Sequence, residues 1–312
     1  MGVAFVRPHH EFLPSDDMIS EARSAGHRWH VVVILHGDPL IPHWMNELAR
    51  RGALTVVIND PGDGRYRSLP TGAEILVNAA TRGFAANVNA AFSHVRATVA
   101  PDILVCANFD LQLELTSIEQ LIDVVSATPH VALAAPMLSD DKGRPVFSAG
   151  GLPTPLKEFT RAAGLRSGRL QRWQRILLRR TRGWQTRNAT RTHRPLPNGE
   201  YLPWTLVAVS LDAWRDVGEL DERFIMYAED LDWGLRAQAA GWQAVLVQAG
   251  RVVHEERATR SALTTALYEA SHLALHAKYG WDKPARWQRR GLAARRWWPF
   301  AASLDRNQGG LS

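Results

Sequence analysis

The sequence predicts an α/β fold: a central, mostly parallel β-sheet with helices on both faces, plus a basic helical insertion and C-terminal helices. Three observations predict it. Aliphatic, β-branched runs of strand length alternate with helix-length segments through the first half of the chain. The alternation resumes after residue 200, beyond a segment of different composition. The 312 residues, 46% of them hydrophobic, hold one large domain or two small ones.

Each element follows from its residues. Positions 1–28 show no periodicity and read as an arm. His30 to Leu35 is a β-branched strand, and Pro42 to Gly52 a helix with Trp44, Leu48 and Ala49 apolar and Gly52 as its stop. Leu54 to Ile58 and Glu74 to Val77 are strands, and Phe84 to Val99 is a helix. Asp102 to Ala107 reads as a buried strand, Ser117 to Ala127 as a helix, Val131 to Ala134 as a strand. After the insertion come a strand from Tyr201 to Val209 and helices from Asp212 to Val217 and Asp230 to Ala240. A strand from Trp242 to Val247 and a helix from Ser261 to Tyr279 follow. Ligands of such sheets bind beyond the carboxyl ends of the strands.

Composition excludes several classes. The lone cysteine, Cys106, sits in an apolar run, so it reads as buried strand, forms no internal disulfide and fits a reducing compartment. No stretch is long and apolar enough to span a bilayer, and no apolar leader opens the chain, so export is not expected. Val6 stands where a myristoylation motif needs Ser or Thr. Neither a dinucleotide-binding glycine fingerprint nor a P-loop is present. The formal net charge of +6 points to an anionic partner.

The densest chemistry lies at Glu229, Asp230 and Asp232, after the run from Leu220 to Tyr227. Carboxylates this close repel one another and persist where a cation, a substrate hydroxyl or an arginine uses them. Asp230 opens a helical pattern, Leu231, Leu235, Ala239, so it stands where a helix N-terminus favours negative charge. Beside a cleft it suits a general base. Taken alone, it equally suits a helix cap, with Asp232 and Arg236 a surface pair. Four other segments stand at strand ends or helix starts: Asn59-Asp60, the run Arg82 to Asn89 around Gly83 and Phe84, Asn108-Phe109-Asp110, and Val253-His254. Each taken alone also reads as ordinary turn or strand-end chemistry.

In this order, over about residues 30–275, these segments resemble the family 2 inverting glycosyltransferases, particularly their rhamnosyltransferase-like branch. The family pattern G-G-F-D-E-R-F-F-x-Y-x-E-D-x-D-L-x-x-R is matched at Gly218, Asp221, Glu222, Arg223, Phe224, Tyr227, Glu229, Asp230, Asp232 and Arg236. Glu219 and Leu220 replace its second Gly and its Phe, and Asn59 stands where the family usually has Asp.

The resemblance implies a GT-A fold, with a nucleotide-sugar-binding half over 29–156 and an acceptor and catalytic half over 201–280. It implies that Asn59 and Asp60 meet the base and ribose, and that Gly83, Phe84, Asn89, Asn108, Asp232 and Trp204 contact substrate. Asp110 and His254 would bind Mn²⁺ or Mg²⁺, and Asp230 would deprotonate the acceptor, with Glu229 orienting it or sharing that role. The implied reaction transfers L-rhamnose from dTDP-L-rhamnose, with inversion, to a cell-envelope glycan or polyprenyl-linked acceptor. Galactofuranosyl or other hexosyl transfer is the alternative on the same fold; a noncatalytic nucleotide-sugar binder and a nucleic-acid binder are the rival classes. Nucleic acid is disfavoured because the acid cluster repels it.

The basic insertion (157–200) holds about a dozen cations and one acid, Glu158, between Lys157 and Arg194. Leu170, Trp173, Ile176 and Leu177 recur at helical spacing among Arg169, Arg172, Arg175, Arg179 and Arg180. The tail (281–312) repeats the theme with Trp281, Trp287, Trp297 and Trp298 among arginines. Both suit a helix lying on an anionic membrane surface, and equally a solvated charged helix. The expected location is cytoplasmic, peripheral on the inner face of the cell membrane.

Overall fold

The computed structural model describes residues 28–36, 40–59, 69–146, 148–151, 193–196, 200–254, 262–280 and 290. The arm before Arg28, the amphipathic run 169–180, the tail apart from Arg290, and Asp60 lie outside them. The chain divides into two compact units. One comprises residues 2–151 and 192–271 and contains every element below except the end of the last helix. The other comprises Met1, 152–191 and 272–312, of which 272–280 and 290 are described.

Eleven strands and six helices are found among the described residues. In chain order they are β1 (Trp29–Leu35), α1 (His43–Arg50), β2 (Leu54–Ile58), β3 (Glu74–Val77), α2 (Phe84–Thr98) and β4 (Ile103–Asn108). Then come β5 (Leu111–Gln112), α3 (Leu115–Ala127), β6 (Val131–Ser139), β7 (Gly150–Gly151), β8 (His193–Pro195) and β9 (Glu200–Tyr201). The last are β10 (Leu206–Ser210), α4 (Leu211–Val217), α5 (Glu229–Ala239), β11 (Gln243–His254) and α6 (Ala262–Lys278).

Nine strands form one sheet in the order β3-β2-β1-β4-β10-β6-β11-β5, with β8 also on β11. Strands β3, β2, β1 and β4 are parallel, as are β6 and β11. The sheet is more mixed than the alternation predicts, because β10 enters from the opposite edge and runs antiparallel to β4 and β6. Alternate strand residues face opposite sides. Val31, Val33 and Leu35 pack with Met45 and Leu48 of α1 and Ile118 and Leu121 of α3. Val32, Leu104 and Cys106 pack on the other face with Val88 and Phe92 of α2, Trp214 of α4 and Trp233 of α5. Burying each such side chain contributes about 1.5–3 kcal/mol. Burial pushes the Cys106 thiol up to about 12, as suits an inert core residue.

Two departures from the expected elements have local causes. The expected strand Tyr201 to Val209 is two strands, because Pro203 has no N–H to give a ladder. The strand opening at Val131 runs on to Ser139 through Pro136, and the β11 partner register shifts between Val247, opposite Pro136, and Val252. Among the described residues no helix is long and apolar enough to cross a membrane.

Candidate active site

The carboxyl ends of β4 and β11 bring two sequence-distant groups together. After β4, a turn at Phe109 and Asp110 leads into β5, which pairs with the end of β11, Leu111 opposite His254. The Trp44 indole N–H donates to the Leu111 carbonyl at 2.8 Å and pins that turn. Asp110 Oδ2 lies 3.5 Å from His254 Nε2, with both side chains partly exposed. Among the described residues no third carboxylate, imidazole or thiol completes a metal cluster. One oxygen and one nitrogen donor, both partly exposed, would suit a divalent ion that takes its other ligands from outside the chain. The imidazole favours Mn²⁺ over Mg²⁺, which prefers all-oxygen surroundings.

Asp230 sits in the first turn of α5, with Glu229 before it. Its Oδ1 accepts the Leu231 N–H at 2.7 Å. Burial raises its pKa from 3.8 to about 6, against the lowering effect of backbone N–H groups of Leu231, Asp230 and Trp204. The carboxylate is therefore ionised at neutral pH yet more basic than an ordinary aspartate. Glu229 is 6% exposed and its Oε2 has no hydrogen-bond partner. Burial, with the neighbouring Asp230 charge, raises its pKa well above the usual carboxylate range. Tyr201, to which no sequence signal points, is close enough to the pair to feel its charge: burial, then the Asp230 charge, raises its phenol well above 10. A Cβ on Gly234 would stand 3.3 Å from the Tyr201 Cβ, so β9 and α5 are in close contact there.

The backbone entering α5 is strained. Tyr227 and Ala228, neither a glycine, both have φ of 71°. Left-handed conformation costs each about 1 kcal/mol or more, and such strain gathers at functional sites.

A covalent and hydrogen-bonded path joins the acid to the paired Asp110 and His254. Trp204 gives its backbone N–H to Asp230, and the next residue, Thr205, accepts the Asn108 N–H at 2.8 Å. Asn108 precedes Asp110 by two residues. Asp230, Asn108, Asp110 and His254 thus share the carboxyl-terminal edge of the sheet.

The donor-side residues form a second, linked cluster. Asn59 receives the Arg82 N–H on Oδ1 (2.9 Å) and gives Nδ2–H to the Arg82 carbonyl (3.0 Å). Asn78 donates to both Asn59 (3.0 Å) and Asn87 (2.6 Å), and Asn87 donates to the Gly83 carbonyl at 2.9 Å. Asn78 and Asn87 escaped the sequence reading; three asparagines and a glycine around one turn were the available signal. Asn59 therefore sets the course of the Arg82-Gly83 backbone.

Several expected substrate contacts are corrected. The space above Gly83 is taken by the chain itself: a Cβ there would lie 2.8 Å from the Ile225 carbonyl oxygen, and the Phe84 N–H donates to that oxygen at 2.8 Å. Gly83 and the Phe84 N–H thus receive the 220–228 loop rather than a diphosphate. Asn89 is 4% exposed and its amide bonds both ends of Leu220, N–H to Oδ1 at 3.0 Å and carbonyl from Nδ2 at 2.9 Å. Asp232 is fully buried and pairs at 3.0 Å with Arg236, which also donates to the carbonyls of Val217 (2.6 Å) and Glu219 (2.7 Å). These two residues are buried and brace the loop. The Trp204 ring is 4% exposed among Phe92, Trp214 and Trp233, so its backbone, not its ring, serves the site.

No family model matches the chain. The N-acetylglucosaminyl-diphospho-decaprenol L-rhamnosyltransferase of Mycobacterium tuberculosis, in strains CDC 1551 / Oshkosh and ATCC 25618 / H37Rv, is 30% identical over 288 residues. The match covers 84% of this chain and 88% of the relative. Among solved structures, the mannosyltransferase PcManGT from Pyrobaculum calidifontis, in complex with GDP-Man and Mn²⁺, superposes with a TM-score of 0.50 at 12% identity. That superposition covers 99% of this chain and 81% of the other, and speaks for the fold. With a relative this similar over most of both lengths, on the sheet described above, the chain belongs to the family 2 glycosyltransferases of GT-A fold, in their rhamnosyltransferase-like branch.

Proposed function

We propose that this glycosyltransferase moves L-rhamnose from dTDP-L-rhamnose to a polyprenyl-diphosphate-linked sugar, with inversion, and that Asp230 is its general base. The observation that carries the reading is the environment of Asp230. Burial raises its pKa to about 6, so the carboxylate is mostly deprotonated at neutral pH with a pKa close to the working pH, as a general base requires. The similarity to a rhamnosyltransferase acting on N-acetylglucosaminyl-diphospho-decaprenol supports the choice of sugar and acceptor.

In this reading the acceptor hydroxyl hydrogen-bonds Asp230 and loses its proton to it while the oxygen attacks the anomeric carbon. The Trp204, Asp230 and Leu231 backbone N–H groups fix the carboxylate, so little reorganisation accompanies the step. Glu229, its pKa raised by burial and by the Asp230 charge, stands beside it and would orient the acceptor or share the proton-accepting role. Asp110 and His254 would hold a divalent ion, Mn²⁺ by preference. When bound, it neutralises charge developing on the departing nucleoside diphosphate.

Transfer by the wild type and Asp230→Asn, measured from dTDP-L-rhamnose with Mn²⁺ and the lipid-linked acceptor, tests this. The variant should lose about 10³-fold in kcat with KM little changed. Transfer by Asp230→Asn near the wild-type rate would remove the base from the mechanism.

A further inference from the structure

Five large apolar side chains stand out as exposed among the described residues: Leu40 (94%), Val77 (65%), Ile225 (55%), Met226 (38%) and Met137 (37%). An exposed apolar residue taken singly needs no explanation. Their placement does. Leu40 follows the carboxyl end of β1, Val77 is the last residue of β3, and Met137 lies near the end of β6. Ile225 and Met226 belong to the loop seated on the start of α2, which follows β3. β1, β3 and β6 run in one direction, so all five lie along the carboxyl-terminal edge, the edge that carries Asp110, Asp230 and His254.

The loop holds its two apolar side chains out rather than tucking them away. The Ile225 carbonyl is bonded to the Phe84 N–H at 2.8 Å, and the Met226 carbonyl accepts the Ser271 hydroxyl at 2.9 Å. The backbone is fixed at both residues, while their side chains stay in solvent at a continuing hydrophobic cost. Cations and acids share the edge, Arg82, Lys142, Arg144, Arg223 and Arg251 beside Asp140, Asp141, Asp221 and Glu222, so its charge is mixed. Arg82, Arg144 and Arg223 stand near Glu222, Asp140 and Asp221 at surface positions, where water and salt weaken the pairing. Arginine and lysine among projecting aliphatic side chains match the interfacial layer of a bilayer, apolar below and anionic above.

We infer that the catalytic rim bearing Leu40, Val77, Met137, Ile225 and Met226 is the face this enzyme sets against a lipid bilayer. The choice of occupant rests on the proposed lipid-linked acceptor. A polyprenyl tail costs about 0.8 kcal/mol per methylene to withdraw from the membrane, so its diphosphate-bound sugar stays at the surface and the pocket must come to it. A rim of projecting apolar side chains around that pocket meets this demand. It places the contact on the rim itself, independently of the basic insertion and tail.

Sedimentation of the full chain with mixed phosphatidylcholine–phosphatidylglycerol vesicles tests the inference, with pure phosphatidylcholine as the second arm. Two double variants are compared with the wild type: Ile225→Ser with Met226→Ser, and Leu40→Ser with Val77→Ser. Each should lower partitioning onto the mixed vesicles about tenfold. Turnover of a short-chain, water-soluble acceptor should stay within about twofold of wild type, which also shows that the variants are folded. Wild-type partitioning retained by both variants would overturn the inference. So would a concentration-dependent dimer, abolished by the same substitutions, in a protein that ignores vesicles. If the wild type turns over neither acceptor, the proposed function fails, while the partitioning result still decides the rim.

Discussion

Asp230→Asn should make the protein more stable as it makes it inactive. In the unfolded chain this carboxyl titrates near 3.8, and in the folded protein at about 6. Between those values the folded state holds a proton that the unfolded chain has released, so stability falls as pH rises through the window and stays lowered above it. At about 1.4 kcal/mol per pH unit, the interval amounts to about 3 kcal/mol. Asparagine removes the buried charge and keeps one oxygen to accept the Leu231 N–H. Loss of the second acceptor oxygen offsets about 1 kcal/mol, leaving a gain of about 2 kcal/mol. Urea unfolding at about pH 7.5 and about pH 4 separates the cases: the gain should appear at the higher pH and vanish at the lower. The same titration predicts that wild-type kcat/KM declines below about pH 6. A variant less stable than wild type at the higher pH, or equally stabilised at both, would refute the claim that a buried ionised carboxylate is held there for function.

Other perturbations test neighbouring parts of the account. Asp110→Asn and His254→Ala should each weaken Mn²⁺-dependent binding of dTDP by about tenfold or more, read by calorimetry, with metal-free dTDP binding unchanged. Gly83→Ala places a methyl 2.8 Å from the Ile225 carbonyl oxygen and should cost about 1–3 kcal/mol in urea unfolding. Ala100 ends α2 with φ of 51°, so Ala100→Gly should stabilise the protein by about 1 kcal/mol, read as an upward shift in Tm.

Local chemistry was legible in the sequence where it is local in the fold. The strands Leu54–Ile58 and Glu74–Val77 fall where their β-branched and aliphatic runs do. Asp110 and His254, far apart in sequence, stand 3.5 Å apart. What failed was the direction in which side chains point. Asp230 and Asp232 are two letters apart, but on a helix that is a rotation of about 200°, so one is half-buried and the other lies wholly in the core. Asp232 and Arg236 do form the i,i+4 pair that spacing allows, with the carboxylate buried rather than on the surface. Gly83 was legible as a close approach, but not as an approach by Ile225, because that partner is set by packing between distant segments. Tyr201 acts through contacts with Asp230 and Glu229, distant in sequence, which no spacing announces, whereas Asn78 and Asn87 bond each other across nine residues.

The anomeric configuration of the product tests the central claim most directly. A single carboxylate removing the acceptor proton, opposite a departing diphosphate, allows one displacement. NMR of the rhamnosylated acceptor should therefore show the configuration opposite to that of the donor. A product with the donor's configuration retained would contradict the assignment of Asp230 as base in a direct displacement.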